Sequence, residues 1–400
     1  MKKIAFVFSN ILPMPDVKGG ATETLIQQLI DDNEKYQDYH FTIYSAYDED
    51  ARVASIKYQY SSFVYPNADS TLIDRIKFQF YRLRRKISKS YVPDRYLNSV
   101  IKHCGRSDYD AIIVESAFWF VPFIKKRTHS KVYVHLHFDP TTVKGTYAKK
   151  ALEACDGVIC VSRFIQERIN TISPKIPTCI LPNAVDPRVF NYVGYEIQEQ
   201  TIRKQYGIKF DDIVLVYSGR LIEVKGVKEL VLSFLKAKER NNNLKLFLVG
   251  SAEYGKTITD SFYDTLVTMI GEELSKSVFL TGYINHKDIP VYYEMADIVV
   301  LPTTDVEEAA PLSALEALSS NCYFIGSDSG GIPEMADCNY RTIVKRGERY
   351  VNDLADAIVD SSLMIGKKDL NCDSVGRKYI ISNRNTENYY YLFSKLDYTN

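Results

Sequence analysis

The sequence predicts an α/β protein built from two doubly wound domains, each a parallel sheet covered by crossover helices. Short apolar runs closed by Gly, Asp or Pro alternate with longer stretches of helical periodicity, the pattern a buried parallel sheet requires. The alternation weakens after residue 187 and restarts at Ile213. With 400 residues the chain exceeds what one hydrophobic core usually organises, so two domains of roughly 200 residues each are expected.

In the first half the expected strands are Ile4 to Phe8, Phe41 to Tyr44, Ala111 to Val114, Lys131 to His135 and Gly157 to Val161. A helix is expected from Thr22 to Asp32, because Leu25, Ile26, Leu29 and Ile30 then share one face. In the second half strands are expected at Ile213 to Tyr217, Leu244 to Val249, Val278 to Leu280, Ile298 to Leu301 and Tyr323 to Ile325, with a helix over Val227 to Lys238. Between the halves, Ile180-Leu-Pro-Asn-Ala-Val-Asp-Pro runs into a polar segment. The expected domains are 1–190 and 191–380, and the aromatic tail 381–400 is expected to form a helix that returns to the first domain.

Seven cysteines without CxxC or His/Cys spacing argue against a disulfide framework or a zinc site, and a reducing cytoplasm is expected. The opening MKKIAFVFSN is too short in its apolar run for a signal peptide and reads as a strand. No stretch approaches the roughly 18 apolar residues a membrane helix needs. Residues 1–190 hold 27 basic and 20 acidic side chains, a net +7 that leaves −7 for the rest. Different partners for the two domains, or complementarity between them, would both explain this asymmetry.

The segment EEAAPLSALEALSS carries the most chemistry, with Glu308 and Glu316 eight positions apart and Pro311 at an expected helix start. The N–H groups of Leu312 and Ser313 would then point outward at the positive end of a helix dipole, which makes a phosphate site. If all eight positions were helical, the carboxylates would lie up to about 12 Å apart along the axis. That span matches the two ends of a nucleotide sugar, although an N-terminal acid favoured by the dipole would also explain Glu308. Glu316 sits among Leu312, Leu315, Ala317 and Leu318, where an unpaired carboxylate is costly.

In IVLVYSGRLIEVKGVKELVLSF a strand leads into a loop with Arg220 and Lys225 and then a helix, which places two cations at the carboxyl end of a strand. They suit a diphosphate, and solvated loop charges are the plain alternative. Gly19 and Gly20 open the first helix and let backbone approach a ligand closely. In KVYVHLHFD, His135 lies within a strand, while His137 falls at or past its carboxyl end, in a functional or a structural role.

These residues resemble the retaining glycosyltransferases of the GT-B fold, in particular the large family four typified by bacterial polysaccharide and phosphatidylinositol glycosyltransferases. The likeness runs through KGGATETLIQQL, HLHFD, CDGVICVS, LPNAVDPRVF, SGRLIEVKG, GYINHKDIPVYYEMADIVVLP, EEAAPLSALEAL and GSDSGGIPEMA, in family order. It implies two Rossmann-like domains facing a central cleft, the first on the acceptor side and the second on the donor side. It also implies roles. Glu308 would contact the hydroxyls of the donor sugar, and Glu316 the ribose. Arg220 and Lys225 would clamp the diphosphate with backbone amides at Leu312 and Ser313. Gly19 and Gly20 would approach the phosphate or sugar, Tyr283 and Ile284 would frame the base, and His137 would line the reaction centre. The chain departs from the family pattern at Ala184, where Gly is usual, and at Ala309-Ala310-Pro311, which leaves the donor sugar open.

The expected activity is transfer of a sugar from a nucleoside-diphosphate donor, UDP foremost, to a hydroxyl of a glycan or glycolipid acceptor in bacterial surface polysaccharide or glycoconjugate synthesis. No cofactor and no metal are expected, since Arg220, Lys225 and helix amides meet the phosphate charge. The DxD matches Asp48-Glu49-Asp50 and Asp108-Tyr109-Asp110 fall in expected loops. Nucleic acid is not an expected partner. An anionic membrane surface is, through Arg75 to Tyr91, where Ile76, Phe80, Leu83 and Ile87 form an apolar stripe flanked by basic residues; a stripe packed on its own domain with solvated charges explains the pattern equally. A nucleotide-sugar epimerase on the same fold and a non-catalytic glycan- or nucleotide-binding subunit remain as alternative functions.

Overall fold

The structure, a computed structural model, describes residues 1–66, 93–142, 147–253, 257–305, 307–335, 339–366 and 373–396. The basic amphipathic stretch Arg75 to Tyr91 lies outside these. The chain divides into two compact units, Met1–Pro182 with Tyr389–Asn400, and Asn183–Asn388.

Unit 1 holds a seven-stranded parallel sheet of β1 (Lys2–Val7), β2 (Tyr39–Tyr44), β3 (Ser61–Val64), β4 (Ala111–Glu115), β5 (Lys131–Leu136), β6 (Gly157–Cys160) and β7 (Thr178–Ile180), in the order β3-β2-β1-β4-β5-β6-β7. Unit 2 holds a six-stranded parallel sheet of β8 (Ile213–Ser218), β9 (Leu244–Val249), β10 (Val278–Gly282), β11 (Ile298–Leu301), β12 (Tyr323–Ser327) and β13 (Arg341–Val344), ordered β10-β9-β8-β11-β12-β13. Both are Rossmann-like parallel sheets, as the sequence pattern predicts. Central strands are buried on both faces; Ile4, Ala5, Phe6 and Val7 have no exposed surface, which is why they read as an unbroken apolar run.

In each sheet the strand order reverses once, between β1 and β4 in unit 1 and between β8 and β11 in unit 2. Ligands of doubly wound domains gather outside the carboxyl ends of the strands at this reversal. The loop with Gly19 and Gly20 follows β1, and Arg220 and Lys225 follow β8. The Glu308 loop follows β11, so the second pair of segments meets at one reversal point.

Strands β3, β7 and β13 were absent from the expected set. They are three or four residues long and lie toward the sheet margins, where Ser61, Ser62, Thr178 and Arg341 give no apolar run. The domain limits also need correction. Residues 183–190 belong to unit 2, because Asn183 Nδ2 donates to Ala310 O at 2.7 Å, and Phe190 O accepts from Ser319 Oγ at 2.6 Å and Arg377 Nη1 at 3.2 Å. Residues 381–388 are tied there too, with Val185 N donating to Arg384 O at 2.9 Å. From Tyr389 onward the chain packs in unit 1, where Phe393 stacks on Phe6 at 6.0 Å and Tyr390 donates to Asp38 at 3.1 Å. Among the described residues no helix is long and apolar enough to cross a membrane.

Candidate active site

Unit 2 brings together one group of the side chains expected at a site. After β8 the chain passes Arg220, whose carbonyl accepts from Tyr217 Oη at 2.8 Å, and turns through Glu223–Lys225 into the helix Val227–Arg240. Gly226 makes the turn possible, since a methyl at its α-carbon would stand 1.9 Å from Pro302 O. That close approach sets Lys225 against the loop leaving β11. Lys225 Nζ donates to Glu308 Oε1, and Thr303 Oγ1 donates to the same oxygen at 3.0 Å.

The backbone of Glu308 is fixed as firmly as its carboxylate. Its N–H donates to Ser329 Oγ at 3.2 Å and its carbonyl accepts from Gly331 N at 2.6 Å. Gly330 has φ +49, and a methyl there would lie 2.2 Å from Glu308 O, so only glycine fits. Arg346 closes the arrangement by donating to Asp328 at 3.0 Å, to Thr304 O at 2.9 Å and to Glu307 at 3.2 Å. Burial opposes charge on Asp328, but the backbone and side-chain bonds from Arg346 hold its carboxyl below the usual range. Arg346 carries no local signal in the sequence, because it follows β13, a short strand without an apolar run.

The helix Leu312–Ser319 begins one residue later than expected. Pro311 precedes it as the N-cap with φ −67 and ψ 125, and no side chain caps the first turn. The N–H groups of Leu312 and Ser313 therefore lie in the uncapped turn, where a helix leaves its first donors without intrahelical partners. Glu308 stands in the loop before this helix, so the expected eight-residue helical rise between the glutamates is incorrect. A fixed loop and one helical turn set their separation instead. Glu316 is buried, at 5 % exposure, and accepts a hydrogen bond from His286 Nε2 at 3.0 Å. His286 follows Tyr283 and Ile284, both half-buried beyond β10, with Tyr283 N held by Thr257 Oγ1 at 2.9 Å. The histidine thus links the two positions expected at a base to the carboxylate expected at a ribose. Sequence reasoning overlooked it as a loop residue, although a buried helix carboxylate signals that some donor must face it.

Unit 1 presents a second group. Gly19 N donates to Asp16 Oδ1 at 2.8 Å, and Gly20 is the extended N-cap of the helix Ala21–Tyr36. On that helix Glu23 is buried, and burial, then the charges of Asp16 and Glu115, push its carboxyl up to about 7. Glu115 ends β4 in register with His135 of β5. Its Oε2 accepts from His137 Nε2 at 2.9 Å and lies 3.1 Å from His135 Nδ1. Burial opposes this charge too, but the neighbouring His135 and the hydrogen bonds of both imidazoles outweigh it and hold Glu115 at about 2. Burial, then His135, lower the His137 imidazole to about 4.

Among the described residues these three make the only His/Cys/Asp/Glu group whose ligating atoms lie within 4.8 Å of one another, a set a divalent ion could take. Hydrogen bonds to the carboxylate account for the same spacing. Sequence reasoning ended the strand at Val114 and so missed Glu115, one residue farther along at the carboxyl end where functional groups collect. The DxD segments are used structurally. Asp48 caps the helix Glu49–Ser55 and pairs with Lys18, while Asp110 accepts from Lys3 N at 2.7 Å.

Comparison with known proteins covers both units. Residues 39–189 match the family model "Glycosyltransferase Family 4", and residues 198–378 match "Glycosyl transferases group 1". Lipopolysaccharide 1,2-N-acetylglucosaminetransferase of Salmonella typhimurium is 23% identical over 84% of this chain and 82% of its own length. Among solved structures, sucrose-phosphate synthase of Thermosynechococcus elongatus superposes with a TM-score of 0.74 at 20% identity, covering 99% of this chain and 98% of that one. HepE of Anabaena in complex with UDP superposes at 0.72 with 16% identity, covering 99% of each chain.

Proposed function

The chain belongs to the GT-B glycosyltransferases of family 4 type, and from that membership we propose that it moves a sugar from a UDP-sugar to a hydroxyl of a glycan or glycolipid with retention at the anomeric carbon. The observation that carries this reading is the pair of fixed carboxylates, Glu308 and Glu316, on either side of an uncapped helix start beside Lys225. In this reading the diphosphate lies between them. Arg220, Lys225 and the N–H groups of Leu312 and Ser313 offer it cations and donors at a helix N-terminus. Lys225 has three donor hydrogens, so it can serve a phosphate oxygen while still holding Glu308. Charge building on the leaving diphosphate is thereby met by groups already in place, the kind of stabilisation that usually dominates.

In this reading the free oxygen of Glu308 takes a hydroxyl of the donor sugar, while Glu316 takes the ribose and Tyr283 and Ile284 the base. Gly19, Gly20 and His137 of unit 1 serve the acceptor side and the sugar being transferred. UDP as the nucleotide draws support from HepE, which has been solved with UDP and with UDP-glucose. A surface-polysaccharide or glycolipid acceptor draws support from the Salmonella relative. The segment from Arg75 to Tyr91, basic residues flanking apolar ones in the sequence, would suit an enzyme that works on a lipid-linked acceptor at an anionic membrane face.

The test is to incubate UDP-, GDP- and ADP-sugars with the protein and follow nucleotide release, with NMR of the first sugar formed. Release from a UDP-sugar with the donor's anomeric configuration is expected. Release from none of them, or an inverted product, would overturn the proposal, and an epimerised UDP-sugar would favour the epimerase.

A further inference from the structure

Glu115 is the most deeply buried carboxylate of the unit 1 group, at 2 % exposure, and it belongs to none of the positions the family likeness assigned. A buried carboxylate is sustained by hydrogen-bond donors, and two imidazoles point nitrogens at it from the next strand. An ionised carboxylate can only accept. The 2.9 Å contact from His137 Nε2 to Glu115 Oε2 therefore requires the proton on Nε2. His135 Nδ1 lies 3.1 Å from the same oxygen and 3.2 Å from His137 Nε2, so it cannot relieve His137 of that task. A neutral imidazole protonated at Nε2 carries its lone pair on Nδ1. No hydrogen bond among the described residues occupies His137 Nδ1, and a tenth of this side chain is exposed, whereas His135 Nε2 is buried without a partner. Register accounts for the placement, since Glu115 pairs with His135 and His137 follows two residues on, just past β5.

We propose that Glu115 is a positioning residue which, by accepting the Nε2 proton, holds His137 as the Nε2–H tautomer so that Nδ1 accepts a hydrogen bond from a substrate hydroxyl. The inference rests on the reading of His137 as a residue of the reaction centre and names what that reading lacked, the group that orients it. The Glu115 carboxylate makes no contact with substrate itself. Its effect reaches the reaction through which ring nitrogen bears the proton, as with a carboxylate that fixes a histidine in a hydrolytic triad.

The experiment combines a spectroscopic reading with kinetics. Protein labelled with ¹⁵N-histidine gives long-range proton–nitrogen correlations for each ring, and H137N assigns the His137 signals. At neutral pH the wild type is expected to show a protonated Nε2 and an unprotonated Nδ1. E115L is expected to shift His137 toward a mixture of tautomers and to lower kcat about 10-fold or more with little change in UDP affinity. E115Q retains an acceptor oxygen and is expected to restore both the tautomer and most of the rate. Should E115L not fold, the wild-type tautomer and E115Q still decide the matter. An Nδ1–H tautomer in the wild type, or one unchanged in folded E115L, would overturn the proposal. So would a stoichiometric divalent ion lost in H137N, because ligation needs the Nε2 lone pair. A shifted tautomer with full activity would instead remove His137 from the reaction, and with it the hydroxyl contact proposed for Nδ1.

Discussion

Lys225 and Glu308, 83 positions apart in the chain, form one ion pair, with the lysine ammonium donating to the carboxylate oxygen that also receives Thr303. The pair joins the loop after β8 to the loop after β11, so the cation expected at the phosphate and the carboxylate expected at the sugar are one unit. E308Q keeps the shape and removes the charge that the proposed function sets beside the reacting sugar. Its kcat is expected to fall at least ~10-fold, about 1.4 kcal/mol of barrier. Because Lys225 loses its counter-charge, UDP affinity should stay level or rise. Calorimetry with UDP and donor-hydrolysis rates check both, and a 10-fold weakening of UDP binding would remove Glu308 from the sugar.

Glu316 should answer to the nucleotide. Replacing it with Gln weakens a charge-assisted contact to the ribose, a class of bond that contributes roughly 1.5–3 kcal/mol, so UDP should bind about 10-fold more weakly or worse. H286A removes the imidazole that donates to this carboxylate and is expected to lower UDP affinity by a smaller factor. Titrations of the two variants with UDP alone decide this; an unchanged affinity in E316Q would displace the ribose from this helix.

Gly330 tests how the Glu308 backbone is held. G330A combines a left-handed φ with a methyl 2.2 Å from Glu308 O, whereas Gly207 has φ +64 with nothing within 4 Å. G207A should lose only about 1 kcal/mol of stability and keep its activity. G330A should lose more than this and also kcat, because the chain must move at Glu308. Equal activity in the two variants would count against that coupling.

Glu23 predicts a pH dependence of stability. Its folded pKa of about 7 lies above the ordinary 4.5, so between those values the folded state binds more protons than the unfolded one. Stability contributed at this site therefore falls as pH rises from 4.5 to 7 and stays low above. E23Q cannot ionise, so its stability relative to wild type should grow by up to about 3 kcal/mol between pH 5 and pH 8. Chemical unfolding of both proteins at the two pH values measures the change, and a difference independent of pH would contradict it.

Turnover is expected to survive EDTA if, as proposed, Arg220, Lys225 and the helix amides meet the diphosphate charge. Donor hydrolysis with and without EDTA, then with added manganese or magnesium, is the check; complete loss followed by rescue would refute it.

Local sequence determined a good deal. Unbroken apolar runs such as Ile4 to Val7 specify buried parallel strands on their own, because a strand covered on both faces has no polar side to show. The pair Glu308 and Glu316, the cations Arg220 and Lys225, and His137 beyond its strand could be named as candidates from residue type and spacing, because ligands of doubly wound domains gather at strand ends. Tertiary structure decided which of these groups touch. The bonds from Lys225 to Glu308, from His286 to Glu316, from His137 to Glu115, and from Arg346 to the Glu307 loop all join segments that sheet order brings together across 22 to 83 positions. A run of sequence records what a side chain can do. The partner that meets it comes from another strand end, adjacent for Lys225 with Glu308 and for His137 with Glu115 and farther across the sheet for His286 with Glu316 and Arg346 with Glu307. Only the order of whole strands in the sheet chooses that partner.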